Sequence, residues 1–304
     1  MKEKIKIILS FLIFLFLFPY IVTVFMQGTS VSGEDAGEQA TETTAQAADG
    51  ETEAEREKMI SILAKEININ SEEEAIKAQA VIVRQNYAYA VEKGEEPEEG
   101  LSVQEMMSLF GEKNFSASYQ ILADCMDATK NVSVTYGDDV VLLPYHAVSA
   151  GKTRAANEAN QNTAFPYLVS VDSSFDIPSG NYLKVTYFEK TEFLAQLEQI
   201  FQGVTFSEED IPAQITIDGR DDASYVTSVT AGGVTISGED FRERLGLNSS
   251  CFSIAEADGK IRVVTKGLGH GFGLSQWGAN ELAKEGKSYL QILKYYFPNI
   301  EITE

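Results

Sequence analysis

The stretch GHGFGLSQWGANELA, residues 269–283, gathers Gly269, Gly271, Gly273 and Gly278 around His270, one of two histidines, and Trp277, the single tryptophan. Gly267 precedes it, so glycine alternates with larger residues over four steps. Glycine permits backbone conformations that other residues resist and lets the main chain approach a neighbour closely. Ser275 is placed to cap a helix over residues 276–284. His270 and Gln276 then sit on a bare loop at a helix start, a position suited to polar recognition. The competing reading is a tight turn around a packed histidine. A turn alone does not require so many glycines, so a ligand-facing loop is expected.

Downstream, SYLQILKYYF (residues 288–297) reads as a helix stopped by Pro298. Upstream, residues 205–265 alternate short apolar runs with turns, which predicts strands, a short helix over 239–245 and two further strands. The segments 132–153, PYLVSVDS (166–173) and NYLKVTYF (181–188) also read as strands, and KTEFLAQLEQIF (190–201) as a helix. Four helices are expected before them. In SEEEAIKAQAVIVRQNYAYAVEKG (71–94), Ile76, Ala80, Val83, Tyr87 and Val91 recur at helical spacing. Ser71 and Glu74 have the spacing of a capping box, and Gly94 is a plausible stop. Helices at both ends with strands between predict an α+β class.

The first residues stand apart. Lys2, Lys4 and Lys6 precede an uncharged apolar run over residues 7–26, the length of a membrane-spanning helix. The lysines orient it with the N-terminus in the cytoplasm. Residues 28–57 are rich in Glu, Thr, Ala and Gly and read as a disordered acidic tether. The expected organisation is a cytoplasmic stub and anchor over 1–27, the tether over 28–57, and an extracytoplasmic domain over 58–304. The net charge of −22 disfavours nucleic acid as a partner. The acidic run 92–100 reads as a solvated surface. Cys125 and Cys251 could pair or stay free.

Glu66 lies where the first predicted helix, within residues 54–68, runs out. A helix C-terminus carries partial negative charge, and a partly buried carboxyl there should hold its proton more tightly. That suits a general acid. An ordinary exposed glutamate fits the periodicity equally well. Lys77 and Arg84, seven residues apart with Gln79 adjacent, share a helix face that could bind carboxylate or sugar hydroxyls. His146 and His270 have no ligand neighbours at i+3 or i+4, so no metal and no cofactor are expected.

Four blocks resemble the stage II sporulation protein D family, including its amidase-enhancer branch. They are residues 267–302, 74–90, 232–254 and 166–173. The resemblance implies an extracytoplasmic lytic transglycosylase that cuts peptidoglycan glycan strands, preferably free of stem peptides, with stage II sporulation proteins P and M as partners. It implies Glu66 as the catalytic residue, in AKEINI (64–69), eight residues before Glu74. Lys77, Gln79 and Arg84 match the family's functional positions on the following helix. His146, His270, Ser275 and Gln276 match its glycan-cleft blocks. Ile67 and Asn68 stand where the family has Met-Pro, and Gln85 and Asn86 stand where it has Thr-Tyr. Some relatives bind zinc near the position of His146. This chain lacks the neighbouring Cys–His set, so none is expected here. The alternative function is a glycan-binding module that stimulates a separate amidase without cutting.

Overall fold

The computed structural model describes residues 51–159 and 165–304. The predicted anchor and the tether as far as residue 50 lie outside them. Helix α1 (Glu53–Glu66) starts at a capping box in which Thr52 and Glu55 satisfy each other's backbone N–H. Residues 53–57, read as tether, are therefore its first turn and a half. Helix α2 (Glu73–Lys93) ends at Gly94, whose φ of 70° is the left-handed stop that glycine adopts readily. Helices α3 (Val103–Phe110) and α4 (Phe115–Ala128) follow.

Helix α2 is the central strut. Its Ile76, Ala80 and Val83 pack with Ile60 and Leu63 of α1 and Leu122 and Met126 of α4. Its Ala78, Val81 and Ile82 pack on a second core, which also contains Leu143, Leu274, Ile292, Leu293 and Phe297. The apolar stripe thins toward the far end, where Val91 is exposed. The Ser71–Glu74 capping box does not form. The Ser71 N–H donates to the Asn68 carbonyl (2.9 Å) and the N-cap is Glu72, whose own N–H donates to Asn280 Oδ1 at 2.7 Å. Glu74 turns outward to accept from the Tyr289 N–H, also at 2.7 Å.

The strands of the described residues form four small sheets. Strand β1 (Ser133–Tyr136) pairs antiparallel with β2 (Asp139–Val140) and with the last strand, β11 (Glu301–Thr303). Strand β3 (Tyr145–His146) pairs in parallel with β10 (Leu274–Ser275), in the register Tyr145 to Leu274 and His146 to Ser275. A short helix α5 (Ala156–Ala159) follows β3.

The expected strand at 166–173 is absent. Tyr167 and Leu168 bury into the second core without a strand partner, and a 3-10 turn at Ser174–Asp176 follows. Strand β4 (Leu183–Phe188) leads to α6 (Lys190–Ile200). Then come β5 (Thr216–Arg220), β6 (Val226–Ala231), β7 (Val234–Ser237), α7 (Gly238–Arg244), β8 (Phe252–Ala257) and β9 (Lys260–Lys266). Two antiparallel sheets, in the orders β4-β9-β8 and β5-β6-β7, share a third core of Phe193, Phe201, Phe241, Val229 and Val263. Helices α8 (Gln276–Lys284) and α9 (Tyr289–Tyr296) complete the fold, α8 with the Ser275 cap and the bounds its sequence predicts. The class is α+β.

Candidate active site

The glycine run is shaped first by packing. Gly267, Gly269, Gly271 and Gly273 all have positive φ. At Gly273 a Cβ would overlap the Pro144 carbonyl oxygen, the acceptor of the Leu274 N–H. At Gly269 it would stand 2.8 Å from the His146 Cβ. The loop lies flat against the segment around β3, and no larger residue fits between them. This corrects the expectation that a ligand alone explains the glycines. Trp277 is structural too: its indole donates to the Phe175 carbonyl (3.1 Å) and its N–H to the Ala147 carbonyl.

The close approach sets Gln276 against helix α1. Its Nε2 donates to the Glu66 carbonyl oxygen (2.6 Å) and to Gln79 Oε1 (3.3 Å). Gln79 is fully buried, so this amide pair fixes the end of α1 to both α2 and α8. The Glu66 side chain remains 19% exposed, with Lys65 Nζ 3.4 Å from its Oε1. Tyr145 faces it. Burial first, and then the Glu66 carboxylate, push the Tyr145 phenol far above its usual value, so it stays protonated and can donate. Tyr145 was missed in the sequence, although it adjoins His146, a position matched to the family.

The other candidates divide. Lys77 is held by Glu73 (2.7 Å) and Glu74 (3.0 Å) of its own helix. Arg84 donates to the Met126 carbonyl (2.7 Å) and pairs with Glu51. These contacts brace α2 and α4 and do not reach Glu66. Ser275 is fully buried; its Oγ donates to Asp176 Oδ1 (2.9 Å) and caps α8. Asp176 also accepts from the Ser149 N–H (2.7 Å) and from Ser173 Oγ (3.0 Å). Burial pushes its pKa up, and these hydrogen bonds oppose the shift.

His146 is buried rather than cleft-lining. Its Nδ1 lies 3.0 Å from the Phe272 carbonyl, and its Nε2 has no partner. Burial, reinforced by the neighbouring His270, pushes its pKa down to about 3 against the support of that carbonyl. His270 Nδ1 accepts from the Phe272 N–H (3.0 Å), and burial lowers its pKa as well. His270 lines a cavity with Pro144 and Phe272. The two imidazole rings are 5.9 Å apart. Among the described residues no third metal-ligating side chain joins them. Cys125 and Cys251 are both buried and free.

Sequence reasoning also missed Arg154. Its side chain is 4% exposed and its Nε lies 2.6 Å from Asp221, which is 0% exposed. The guanidinium lies over the rings of Tyr225 (4.9 Å) and Phe272 (4.6 Å). Its backbone N–H donates to the Gly271 carbonyl (2.8 Å) and its Nη1 to the His270 carbonyl (3.3 Å). This buried pair clamps the glycine loop at His270, Gly271 and Phe272.

No family model matches the chain. Stage II sporulation protein D of Bacillus amyloliquefaciens is 32% identical over 264 residues, covering 82% of this chain and 74% of the relative. The protein of that name from Bacillus subtilis strain 168 is 33% identical over 261 residues, with the same coverage. The chain belongs to the stage II sporulation protein D family. An amidase enhancer of Bacillus subtilis strain 168 is similar at 22% identity, over 76% of this chain and 38% of that protein.

Proposed function

We propose that this protein is a lytic transglycosylase of sporulation that cuts peptidoglycan glycan strands, preferably free of stem peptides, and leaves 1,6-anhydro-N-acetylmuramic acid ends. The observation that carries this reading is one half-buried carboxyl, Glu66, held by its own backbone through Gln276 and faced by the Tyr145 phenol. In this reaction one carboxyl serves both steps. Glu66 gives its proton to the glycosidic oxygen leaving the muramic sugar, and the resulting carboxylate takes the proton of that sugar's own 6-hydroxyl as it closes the anhydro ring. Neither a second carboxylate nor a water is needed, unlike ordinary glycosidases. Tyr145 supports the carboxylate between the two steps, and Gln79 and Gln276 hold the helix end still.

Membership of the sporulation protein D family supports a cell-wall role. On this reading residues 7–26 anchor the chain in the membrane, the acidic segment after them tethers the domain outside, and stage II sporulation proteins P and M work beside it. The match to an amidase enhancer favours one alternative, a glycan-binding activator that does not cut.

The test is Glu66→Gln, assayed by mass spectrometry on stem-peptide-free glycan. General acid–base catalysis contributes about 10²–10⁴-fold, so release of anhydro-muramic ends should fall at least about a hundredfold with circular dichroism unchanged. Intact glycan from the wild type, together with a stimulated amidase, would establish the activator instead.

A further inference from the structure

Strand β4 shares the third core through Phe188, on the side where Ile261, Val263 and Phe252 are buried. Its other face is open. Leu183, Val185 and Tyr187 alternate along the strand, so they point to one side of the sheet, and they are 54%, 45% and 55% exposed. Val264 of β9, half-buried and opposite Val185, continues the apolar strip. β4 is also an edge: among the described residues its sheet runs β4-β9-β8. The Tyr182 carbonyl accepts the Gly267 N–H on the β9 side (2.7 Å). The alternation of an antiparallel ladder then turns the N–H and C=O of Leu183, Val185 and Tyr187 away from β9. The same three residues thus offer both apolar side chains and open backbone groups. Edges are commonly blunted by proline or a bulge. β4 has neither, and its six pairs run unbroken from Leu183–Lys266 to Phe188–Ile261.

We propose that β4 is a docking edge for an extended segment of another protein, apolar at its centre and acidic toward its ends, which adds to the sheet as a further strand. Main-chain hydrogen bonds supply the affinity in this mode and side chains the specificity. Charge identifies the occupant. The chain carries −22 overall, yet this edge is cationic. Arg262 and Lys266 are exposed opposite Tyr187 and Leu183, on the same face, and neither has an ion-pair partner among the described residues. Lys184, exposed on the opposite face of β4, meets Asn248 Oδ1 at 3.2 Å. Lys260 is already paired with Glu189. A strand added at β4 lies about 10 Å from β9, two strand spacings, a gap that Arg262 or Lys266 and a facing glutamate span together. A second copy laid on β4 would instead bring two cationic sets together, and like charges across strands destabilise. The chain's own acidic segment, residues 28–50, has only Val31 to cover three large apolar side chains. The docking edge stands whether or not the chain cuts glycan.

The test uses the full chain in detergent and three dye-labelled, end-blocked peptides: TETVTET, its twin with lysine for both glutamates, and TETVTET N-methylated at the valine. Fluorescence anisotropy reads affinity, and hydrogen exchange reads the β4 amides. TETVTET should bind and slow exchange at Leu183, Val185 and Tyr187. The lysine twin should bind at least about tenfold more weakly, and about 1 M salt should narrow that gap. Arg262→Glu with Lys266→Glu should reverse the preference. N-methylation removes a main-chain donor and should cost at least about fivefold. Val185→Pro removes the matching donor on β4; proline is tolerated where its nitrogen faces an open edge, and urea unfolding checks the fold. If that variant fails to fold, the N-methylated peptide makes the same test from the other side. Equal affinity for the glutamate and lysine peptides, undiminished binding of the N-methylated one, or unchanged exchange in β4 overturns the proposal. So does a stable dimer of the chain alone that Val185→Pro dissolves, which gives the edge to a second copy. Faster exchange at the three amides on deleting residues 28–50 gives it to the chain's own acidic segment and overturns it as well.

Discussion

Gly273→Ala and Gly94→Ala separate two reasons for glycine. Both positions have nearly the same backbone, φ 69° and φ 70°. A left-handed conformation costs a residue with a Cβ about 1–2 kcal/mol, and both variants bear it. They differ in what the new methyl meets. At Gly94 nothing lies within 4 Å. At Gly273 the methyl would overlap the Pro144 carbonyl oxygen, with the Pro144 carbonyl carbon at 2.8 Å and its Cγ at 3.0 Å. Relieving that overlap means parting β3 from β10, because the same oxygen accepts the Leu274 N–H. Overpacking of this kind costs about 1–3 kcal/mol, so Gly273→Ala should lose about 2–5 kcal/mol against about 1–2 for Gly94→Ala. Urea unfolding of both variants reads the difference, and thermal unfolding should show roughly 2–4 °C per kcal/mol for a domain of this size. Gln276 lies three residues beyond Gly273, so glycan cleavage should fall in Gly273→Ala and hold in Gly94→Ala. If Gly273→Ala is no less stable than Gly94→Ala, close packing does not demand the glycine, and the bare loop exists for a ligand.

Asp221→Ala leaves the Arg154 guanidinium buried with only Glu239, 3.6 Å away, as a counter-charge. Breaking a buried pair from one side costs about 3–5 kcal/mol, and urea unfolding that shows under 1 kcal/mol would refute the clamp. His146 has a folded pKa of about 3, below its unfolded value near 6.5. Between those values the unfolded chain binds more protons, so its contribution to stability is full above pH 6.5 and is lost as pH falls toward 3, by at most about 1.4 kcal/mol per pH unit. His146→Gln should remove that component from a pH series of urea midpoints; an unchanged slope would show that His146 titrates normally.

Much of the fold could be read from the sequence because its signals are local. Ser275 caps α8 by accepting the N–H of Gly278, three residues on, and Gly94 stops α2 because few other residues adopt its φ. The misreadings have partners far along the chain. Ser71 and Glu74 have the right spacing for a capping box, but the Tyr289 N–H, 215 residues away, takes the Glu74 carboxylate that the box would use. PYLVSVDS runs beside residues 152–156 but meets them only through one isolated bridge, Lys152 to Asp172, and single backbone hydrogen bonds, and β-propensity records packing more than backbone preference. Tyr167 and Leu168 are spent on the core instead. Lys77 and Arg84 lie on one helix, as expected, and their partners there are Glu73, Glu74, Glu51 and the Met126 carbonyl.

The candidate site shows the same division at shorter range. Glu66 was legible because a helix end and a family motif coincide there. Tyr145 was not, because what brings it to Glu66 is a parallel pairing with Leu274 that no local pattern announces. That pairing links the two observations. The glycines allow the loop to lie against β3, the loop places Gln276 on the Glu66 carbonyl, and β3 places Tyr145 beside the Glu66 carboxylate. One close approach of two backbones therefore positions the carboxyl, its donor and its anchor together. This explains why the rarest side chains gather in the segment with least bulk: His270 braces the loop internally through the Phe272 N–H and Trp277 ties it to Phe175, while the candidate carboxyl is supplied from 210 residues away.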